Sequence, residues 1–142
     1  MSVLSSAPAT DRGPLTIVAG GGPVPLIVAN AAGQMGNHAP DKDALRDARR
    51  AMKAARVIGK LDAGQAAVVV NGVIVGLEAY EGTDGLLERV GRIREVGRIR
   101  WKGRAGVLAK CAKPQQDLRV DMPTIGVKTV RAAAAAGLAG IA

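Results

Sequence analysis

Acidic and basic side chains follow two apolar, strand-like runs of the 142-residue sequence. Glu78, Glu81 and Asp84 lie within seven positions after the run Val73–Leu77. The run Ala105–Ala109 leads into a polar stretch whose charged residues are Lys110, Lys113, Asp117, Arg119 and Asp121. Ligand sites in α/β proteins favour the carboxyl ends of strands, so two adjacent strand ends would bring these groups to one crevice.

This mixture of carboxylates and cations suits phosphoryl chemistry. Carboxylates hold Mg²⁺ or orient a water, and Lys and Arg offset the charge on phosphate oxygens. A glycine turn, Gly20–Gly22, also follows an apolar run and could present backbone N–H groups to a phosphate or nucleotide. It lacks both the Gly-Lys-Ser/Thr of a Walker A loop and the glycine spacing of a dinucleotide fingerprint. The competing interpretations are a solvated loop with surface ion pairs and a tight turn without a ligand.

The densest basic segment is Arg89–Arg104. It contains seven Lys and Arg residues and one carboxylate, Glu95, which gives a local net charge of +6. Its interleaved Val and Ile residues indicate an amphipathic element that could bind anionic lipid or nucleic acid phosphates. A solvated basic face is the third option. Only Trp101 is available to stack on bases, which argues against a dedicated nucleic-acid module. His38 and Cys111 are too isolated for a zinc site.

The elements that must position these groups alternate between strands and helices. Asn71-Gly72 between two β-branched runs predicts a type I′ hairpin of Gln65–Val70 and Val73–Leu77. Acidic residues at the start and basic residues at the end predict a helix over Asp41–Leu61. Further predictions are helices over Pro23–Ala32, Thr83–Arg100 (N-cap Thr83 or Asp84) and Val127–Ala136, and strands over Leu15–Ala19, Ala105–Ala109 and Leu138–Ala142.

Composition limits the core and the partners. The chain has 26 Ala and 19 Gly but only one Trp, one Tyr and no Phe, which predicts a thin core of Val, Ile and Leu. Its net charge of +8 indicates anionic partners. A single Cys excludes an intramolecular disulfide, and no apolar run is long enough to span a bilayer. Without a secretory signal pattern, we expect a soluble cytoplasmic protein.

Several ordered motifs resemble one family. They are Leu61-Asp-Ala-Gly-Gln-Ala-Ala-Val-Val-Val70, Glu78-Ala-Tyr-Glu-Gly-Thr-Asp84, Val107-Leu-Ala-Lys110, Lys113-Pro-Gln-Gln-Asp-Leu-Arg119, Asp121-Met-Pro-Thr-Ile-Gly126 and Ala136-Gly-Leu-Ala-Gly-Ile-Ala142. Together they resemble the C-terminal domain of the LpxI-type UDP-2,3-diacylglucosamine pyrophosphatases. Leu15-Thr-Ile-Val-Ala-Gly-Gly-Gly-Pro-Val-Pro25 is similar to the start of the same family.

The resemblance implies Mg²⁺-dependent hydrolysis of UDP-2,3-diacylglucosamine. Water attacks the α-phosphorus and gives UMP and 2,3-diacylglucosamine 1-phosphate (lipid X), a cytoplasmic step of lipid A biosynthesis. Asp117 is expected to be the leading catalytic carboxylate, with Asp121 and Asp84 beside it, and the same three residues are the expected metal ligands. The expected substrate contacts are Gly20, Gly21, Gly22, Glu81, Thr83, Lys110, Lys113, Gln116, Arg119 and Thr124. The alternative remains a non-catalytic basic module that binds anionic lipid or nucleic acid through Arg89–Arg104.

The expected fold is α/β, with a mixed sheet, a β-hairpin and flanking helices. Residues 1–13 are expected to be a disordered leader, 14–37 the remnant of a Rossmann-like nucleotide-binding domain, and 38–142 a catalytic-type domain shortened at its end. Family members are longer, and the resemblance implies that the closing strands of their C-terminal domain would follow Ala142. Leu138–Ala142 is therefore expected to be an unsupported strand. We expect a peripheral protein at the anionic inner membrane of a Gram-negative bacterium, with a homodimer left open and no nucleic acid as partner.

Overall fold

The computed structural model describes residues 16–17, 40–115 and 124–142. Eight elements follow in chain order: β1 (Thr16–Ile17), α1 (Lys42–Lys60), β2 (Ala66–Val70), β3 (Val73–Leu77), α2 (Gly82–Glu95), β4 (Val107–Lys110), α3 (Val127–Ala135) and β5 (Gly140–Ile141). Strands and helices mix as the sequence predicted. None of the helices in these residues is long and apolar enough to cross a membrane.

The strands form one mixed sheet in the order β1-β5-β4-β2-β3. β2 runs antiparallel to both of its neighbours, whereas β1, β5 and β4 are mutually parallel. All strands except β2 therefore end at one edge of the sheet, which we call the carboxyl edge. This arrangement confirms the predicted α/β class with a mixed sheet.

The hairpin β2–β3 forms as predicted because its turn residues accept left-handed backbone conformations. Asn71 and Gly72 have φ values of 50° and 79°, the combination that a type I′ turn requires. The pairs Val68–Gly76 and Val69–Ile74 leave Val75 as an extra residue, so β3 carries a bulge.

A buried carboxylate ties this hairpin to α1. Asp47 is 1% exposed and accepts hydrogen bonds from Asn71 N at 2.8 Å and Gly72 N at 2.7 Å. The turn thereby gains two partners for N–H groups that have none within the hairpin ladder. These two bonds fix the position of the hairpin turn on α1. The turn lies at the end of the sheet opposite the carboxyl edge.

The helix α1 begins and ends where the charge pattern predicted. Asp41 is its N-cap and accepts from Ala44 N at 2.7 Å, and Leu61 is its C-cap. Its buried face consists largely of alanines, Ala48, Ala51 and Ala55, with Ile58. Small side chains let α1 lie close against one face of β2 and β4, where Ala51 packs with Val69 and Ala109.

The opposite face of the sheet carries α2 and α3. Leu86, Leu87 and Val90 of α2 pack with the even-numbered residues of β2 and with Leu108, Leu138 and Ile141. The core is therefore aliphatic and thin, as the composition predicted. Trp101 and Ile99 pack against it from the side.

Two predictions about α2 were wrong. Its N-cap is Glu81 rather than Thr83 or Asp84, because the Thr83 hydroxyl donates to Glu78 instead of capping the helix. The helix ends at Glu95 rather than Arg100, since Gly97 adopts φ 72° and reverses the chain.

The expectation that the last strand lacks support was also wrong. β5 pairs in parallel with β1 on one side and β4 on the other, and Ala142 O accepts from Lys110 N at 3.0 Å. The strand is shorter than the predicted Leu138–Ala142, but it lies inside the sheet.

Few residues of the expected N-terminal remnant can be compared with the structure. The predicted strand Leu15–Ala19 forms over Thr16–Ile17. The predicted helix after Pro23 and the Gly20–Gly22 turn lie outside the described residues. The division into a leader, a Rossmann-like remnant and a catalytic-type domain stays a prediction.

Candidate functional site

Most of the described site residues predicted from the sequence lie along the carboxyl edge. Glu78 follows β3 and donates its backbone N–H to Ala66 O at 2.9 Å, and Lys110, the last residue of β4, pairs with the same Ala66. The ends of β3 and β4 are therefore not direct neighbours: β2 separates them, so their backbones are about 10 Å apart. Both side chains belong to the face covered by α2 and α3, because Ala66 faces that core.

Among the described residues, Glu78 is the most enclosed carboxylate of this edge. Its residue is 8% exposed, and Oε2 accepts from Thr83 Oγ1 at 3.0 Å. Gly64 packs so closely against its backbone that an added Cβ would clash with Glu78 O. Glu78 is thus held by the loop before β2, which contacts its backbone, and by the first turn of α2, which contacts its carboxylate.

The other two carboxylates of the segment bind cations on separate sides. Glu81 pairs with Arg89 at 2.6 Å, and the hydrogen bond from that guanidinium lowers the pKa of Glu81. Asp84 pairs with Lys128 of α3 at 2.8 Å, and this hydrogen bond raises the pKa of Lys128. Glu81 and Asp84 thus have different cations as partners, and the condition for one shared crevice, adjacent ends of β3 and β4, is not met because β2 lies between them.

The Asp84–Lys128 pair joins the first turns of α2 and α3. The N-terminus of α2 follows the end of β3, and α3 runs back into the start of β5, so both N-termini lie at the carboxyl edge. The N-terminal ends of helices carry partial positive charge and free N–H groups. Lys110 lies on the same face, and its Nζ donates to Thr124 O at 3.2 Å, close to the start of α3.

Lys113 lies on the other face of the sheet. Its Nζ donates to Asp62 Oδ1 at 2.8 Å, next to the C-terminus of α1, and this hydrogen bond lowers the pKa of Asp62. Cys111 also turns to this face, where Sγ donates to Met52 O at 3.7 Å. Burial raises the pKa of the Cys111 thiol, which disfavours the nucleophilic thiolate form.

The remaining predicted site residues lie outside the described part of the chain. They are Gly20, Gly21, Gly22, Gln116, Asp117, Arg119 and Asp121. The described residues that flank them lie at the carboxyl edge: β1 ends there, Lys113 precedes Asp117, and Thr124 follows Asp121. Their roles stay predictions.

A metal site cannot be assembled from the described residues alone, since nowhere among them do three His, Cys, Asp or Glu side chains come together. Asp84, the one predicted ligand in this part of the chain, has Lys128 as its partner. A Mg²⁺ site would therefore depend on Asp117 and Asp121, as the sequence prediction assumed.

The sequence did not single out Gln65, Asp62 or Lys128 as site residues. Gln65 precedes β2, and within the described residues its buried Oε1 has no hydrogen-bond partner. Its backbone O accepts from Cys111 N at 2.8 Å, which places it at the carboxyl edge beside β4. Only the long-range pairing of β2 with β4 reveals this position.

Two cations of the basic segment Arg89–Arg104 are built into the fold, whereas the other five are exposed. Arg94 lies 4.6 Å from the centroid of the Trp101 ring and donates to Gly103 O at 2.9 Å. Arg104 donates to Ala134 O and Leu138 O, which anchors the segment to α3 and β5. Because α2 stops at Glu95, the segment is not one continuous amphipathic helix.

Comparison of the sequence with known proteins assigns the chain to a family. The profile of the LpxI C-terminal domain matches residues 31–142. The chain belongs to the LpxI C-terminal domain family. Among curated proteins, the UDP-2,3-diacylglucosamine pyrophosphatase LpxI of Caulobacter vibrioides is 50% identical over 109 residues. That match covers 77% of this LpxI-family chain and 39% of the relative, so the chain spans about two fifths of the relative's length. The resemblance seen in the ordered motifs is confirmed.

Proposed function

We propose that this LpxI-family chain carries the carboxyl edge at which UDP-2,3-diacylglucosamine is hydrolysed to UMP and 2,3-diacylglucosamine 1-phosphate in lipid A biosynthesis. The 50% identity to a UDP-2,3-diacylglucosamine pyrophosphatase supports the choice of substrate. The observation that supports its location is the meeting of two helix N-termini with Lys110 on one face of the sheet.

The diphosphate would bind where these positive groups meet. Backbone N–H groups at the starts of α2 and α3 are suited to phosphate oxygens, and the Lys110 ammonium supplies a full charge beside them. Thr83 and Thr124 lie on the same face, and this position supports the proposal that they contact the substrate. Gln116 and Arg119 complete the proposed contacts to the phosphates, and Gly20–Gly22 the contacts to the uridine nucleotide.

Two predicted contacts require a side chain to leave its present partner. Lys113 is bound to Asp62 on the α1 face, and Glu81 is bound to Arg89. Both pairs lie at the protein surface, where water screens ion pairs and they stabilise the fold little. The exchange of either partner for a substrate group would therefore cost little.

Asp117 is the proposed catalytic carboxylate, which orients the attacking water toward the α-phosphorus. Asp121 and Asp84 would hold Mg²⁺ with it, and Asp84 would exchange Lys128 for the ion. When bound, Mg²⁺ offsets negative charge on the diphosphate oxygens. The chain's own contribution is the orientation of these carboxylates and of the cations around the phosphates.

The reaction would take place at the cytoplasmic side of the inner membrane of a Gram-negative bacterium, where the chain associates peripherally with its lipid-linked substrate. The net charge of +8 supports an anionic surface as partner. A homodimer belongs to the same proposal, and light scattering of the purified chain tests it.

The experiment is UMP release from detergent-solubilised UDP-2,3-diacylglucosamine with and without Mg²⁺. Positioned acid–base groups contribute about 10²–10⁴-fold to a rate, so Asp117→Ala should lower kcat by at least about 100-fold. Asp43→Asn is the matched control, because Asp43 lies in the first turn of α1, away from the carboxyl edge. An unchanged rate in Asp117→Ala would remove that residue from the proposed catalytic role.

A further inference from the structure

We propose that the groove between α1 and the edge strand β3 is a docking surface for an anionic lipid bilayer. Four cations of α1 line it: Arg46, Arg49, Arg50 and Lys53. Aliphatic side chains line it beside them, with Val57 and Ile58 of α1 and Ile74 and Leu77 of β3. Its volume is about 700 Å³.

The cations of the groove are free to meet phosphate groups. They recur every three or four positions and so share one side of α1. Within the described residues, Arg49, Arg50 and Lys53 form no ion pair, and only Arg46 has carboxylate neighbours, Asp43 and Asp47. In the basic segment Arg89–Arg104, Arg94 and Arg104 bind backbone carbonyls, whereas Arg98 and Arg100 are exposed, so these two provide a matched control outside the groove.

Three of the four aliphatic side chains named are exposed, although the fourth, Ile58, is buried. Val57 is 53% exposed, Ile74 40% and Leu77 39%. Cations beside exposed aliphatic side chains match the interface of an anionic membrane, where ammonium and guanidinium groups meet phosphates and apolar groups reach the acyl boundary.

Two other occupants fit the groove less well. A second copy of this chain would bring four cations of each copy together across a two-fold axis. The bulge at Val75 also interrupts the free hydrogen-bonding side of β3, with which a strand of a second copy would pair. A single-stranded nucleic acid would use stacking aromatics, and the side chains that line this groove are aliphatic or basic.

The groove also leads toward the candidate site. One end of the groove lies at Leu77, which directly precedes Glu78 at the carboxyl edge. The other end, at Arg46, lies near the hairpin turn at Gly72. A bilayer at this surface would deliver a lipid-linked substrate close to that edge. Only this delivery of substrate rests on the proposed function; the binding of the bilayer does not.

The test is co-sedimentation of the purified chain, without substrate or Mg²⁺, with vesicles of phosphatidylglycerol and phosphatidylcholine in equal parts. Each Lys or Arg near an anionic surface contributes about fivefold to binding, so Arg49→Gln/Lys53→Gln should weaken it about 30-fold. Arg98→Gln/Arg100→Gln removes the same charge from exposed positions outside the groove and should stay within about twofold of wild type. Val57→Asn should weaken binding by about threefold or more, since its exposed half would leave water.

Four results would overturn the proposal. They are equal binding to pure phosphatidylcholine, an unaffected groove double variant, an equal loss in the control double variant, and an unaffected Val57→Asn. Nucleic acid is the occupant if a single-stranded oligonucleotide binds with the same dependence on Arg49 and Lys53 but none on Val57. A second copy is the occupant if light scattering shows a dimer that Val57→Asn dissociates.

UMP release from detergent-solubilised substrate separates this proposal from the proposed function. The groove double variant should retain that activity while it loses vesicle binding. If the wild-type chain releases no UMP but binds the anionic vesicles through the groove, the proposed function fails and the docking surface stands.

Discussion

Loss of the Asp47 carboxylate should destabilise the β2–β3 hairpin and, through it, the whole sheet. Asp47 is buried, and its two carboxylate oxygens accept from the N–H groups of Asn71 and Gly72 at 2.8 and 2.7 Å. These are the two residues with left-handed backbone at the turn. In Asp47→Ala both N–H groups lose their partner, and a small cavity opens below α1.

The magnitude follows from the number and type of these bonds. A hydrogen bond to a charged group contributes about 1.5–3 kcal/mol. Asn71 is exposed and Gly72 half-buried, so water can replace part of the loss, and removal of a buried charge returns some desolvation energy. We therefore expect Asp47→Ala to lower the free energy of unfolding by about 2–4 kcal/mol. Asp47→Asn should cost nearly as much, because its NH₂ group would face an N–H donor.

Urea unfolding followed by circular dichroism measures this effect. The midpoint should fall while the slope m stays constant, since the same surface is exposed on unfolding. Asp43→Asn, which removes an exposed carboxylate one turn earlier, should change the free energy by less than about 0.5 kcal/mol. If Asp47→Ala were as stable as Asp43→Asn, the account of the hairpin anchor would be refuted.

Three further changes test the carboxyl edge. Gly64→Ala should destabilise the fold by about 1–3 kcal/mol in urea unfolding, because its Cβ would meet the Glu78 carbonyl oxygen, which is backbone; wild-type stability would contradict that contact. The hydrogen bond from Lys113 lowers the pKa of Asp62, so the pair stabilises the fold at pH values above 3.8, the ordinary carboxyl pKa, and this stabilisation is lost as the pH falls through the lowered pKa. In Lys113→Gln, a carboxyl NMR titration should show the pKa of Asp62 closer to 3.8. An unchanged pKa would exclude the pair in solution. Iodoacetamide should modify Cys111 much more slowly in the folded chain than in urea, because burial raises the pKa of its thiol; equal rates would show that the thiol is exposed.

Local signals in the sequence were sufficient for the elements that depend on near neighbours. Asn71-Gly72 specifies its turn by backbone conformation alone, and the charges at the two ends of α1 mark its limits. Gly97 lies inside the predicted helix Thr83–Arg100, yet its positive φ ends α2 at Glu95. Its effect depends on the backbone conformation that the following segment imposes.

Contacts between distant segments could not be predicted from local patterns. β5 is stabilised by parallel pairing with β1 and β4, which involves residues far away in the chain. Thr83 looks like an N-cap until β3 brings Glu78 within hydrogen-bond reach. Arg94 looks like part of a basic surface until the chain folds back and places Trp101 beneath it.

The position of several candidate site residues in the sheet could be predicted from the order of the strands along the chain, but their side-chain partners could not. Strand polarity places Glu78 and Lys110 at the same edge, where the rule for carboxyl ends of strands predicts a ligand site. The insertion of β2 between them, and the cation partners of Glu81 and Asp84, arise from tertiary packing. The residue types therefore suggested phosphoryl chemistry, whereas the distances between the side chains could be known only from the order of the strands in the sheet.

The most direct test of the central claim is an amide NMR titration of the chain with UDP and Mg²⁺. The account predicts that shift changes concentrate at the carboxyl edge, in residues 78–84, at Lys110 and in residues 124–128. The hairpin turn at Asn71 and Gly72, at the opposite end of the sheet, should remain unchanged. Changes centred on that turn or on the α1–β3 groove, with none at the carboxyl edge, would contradict the account.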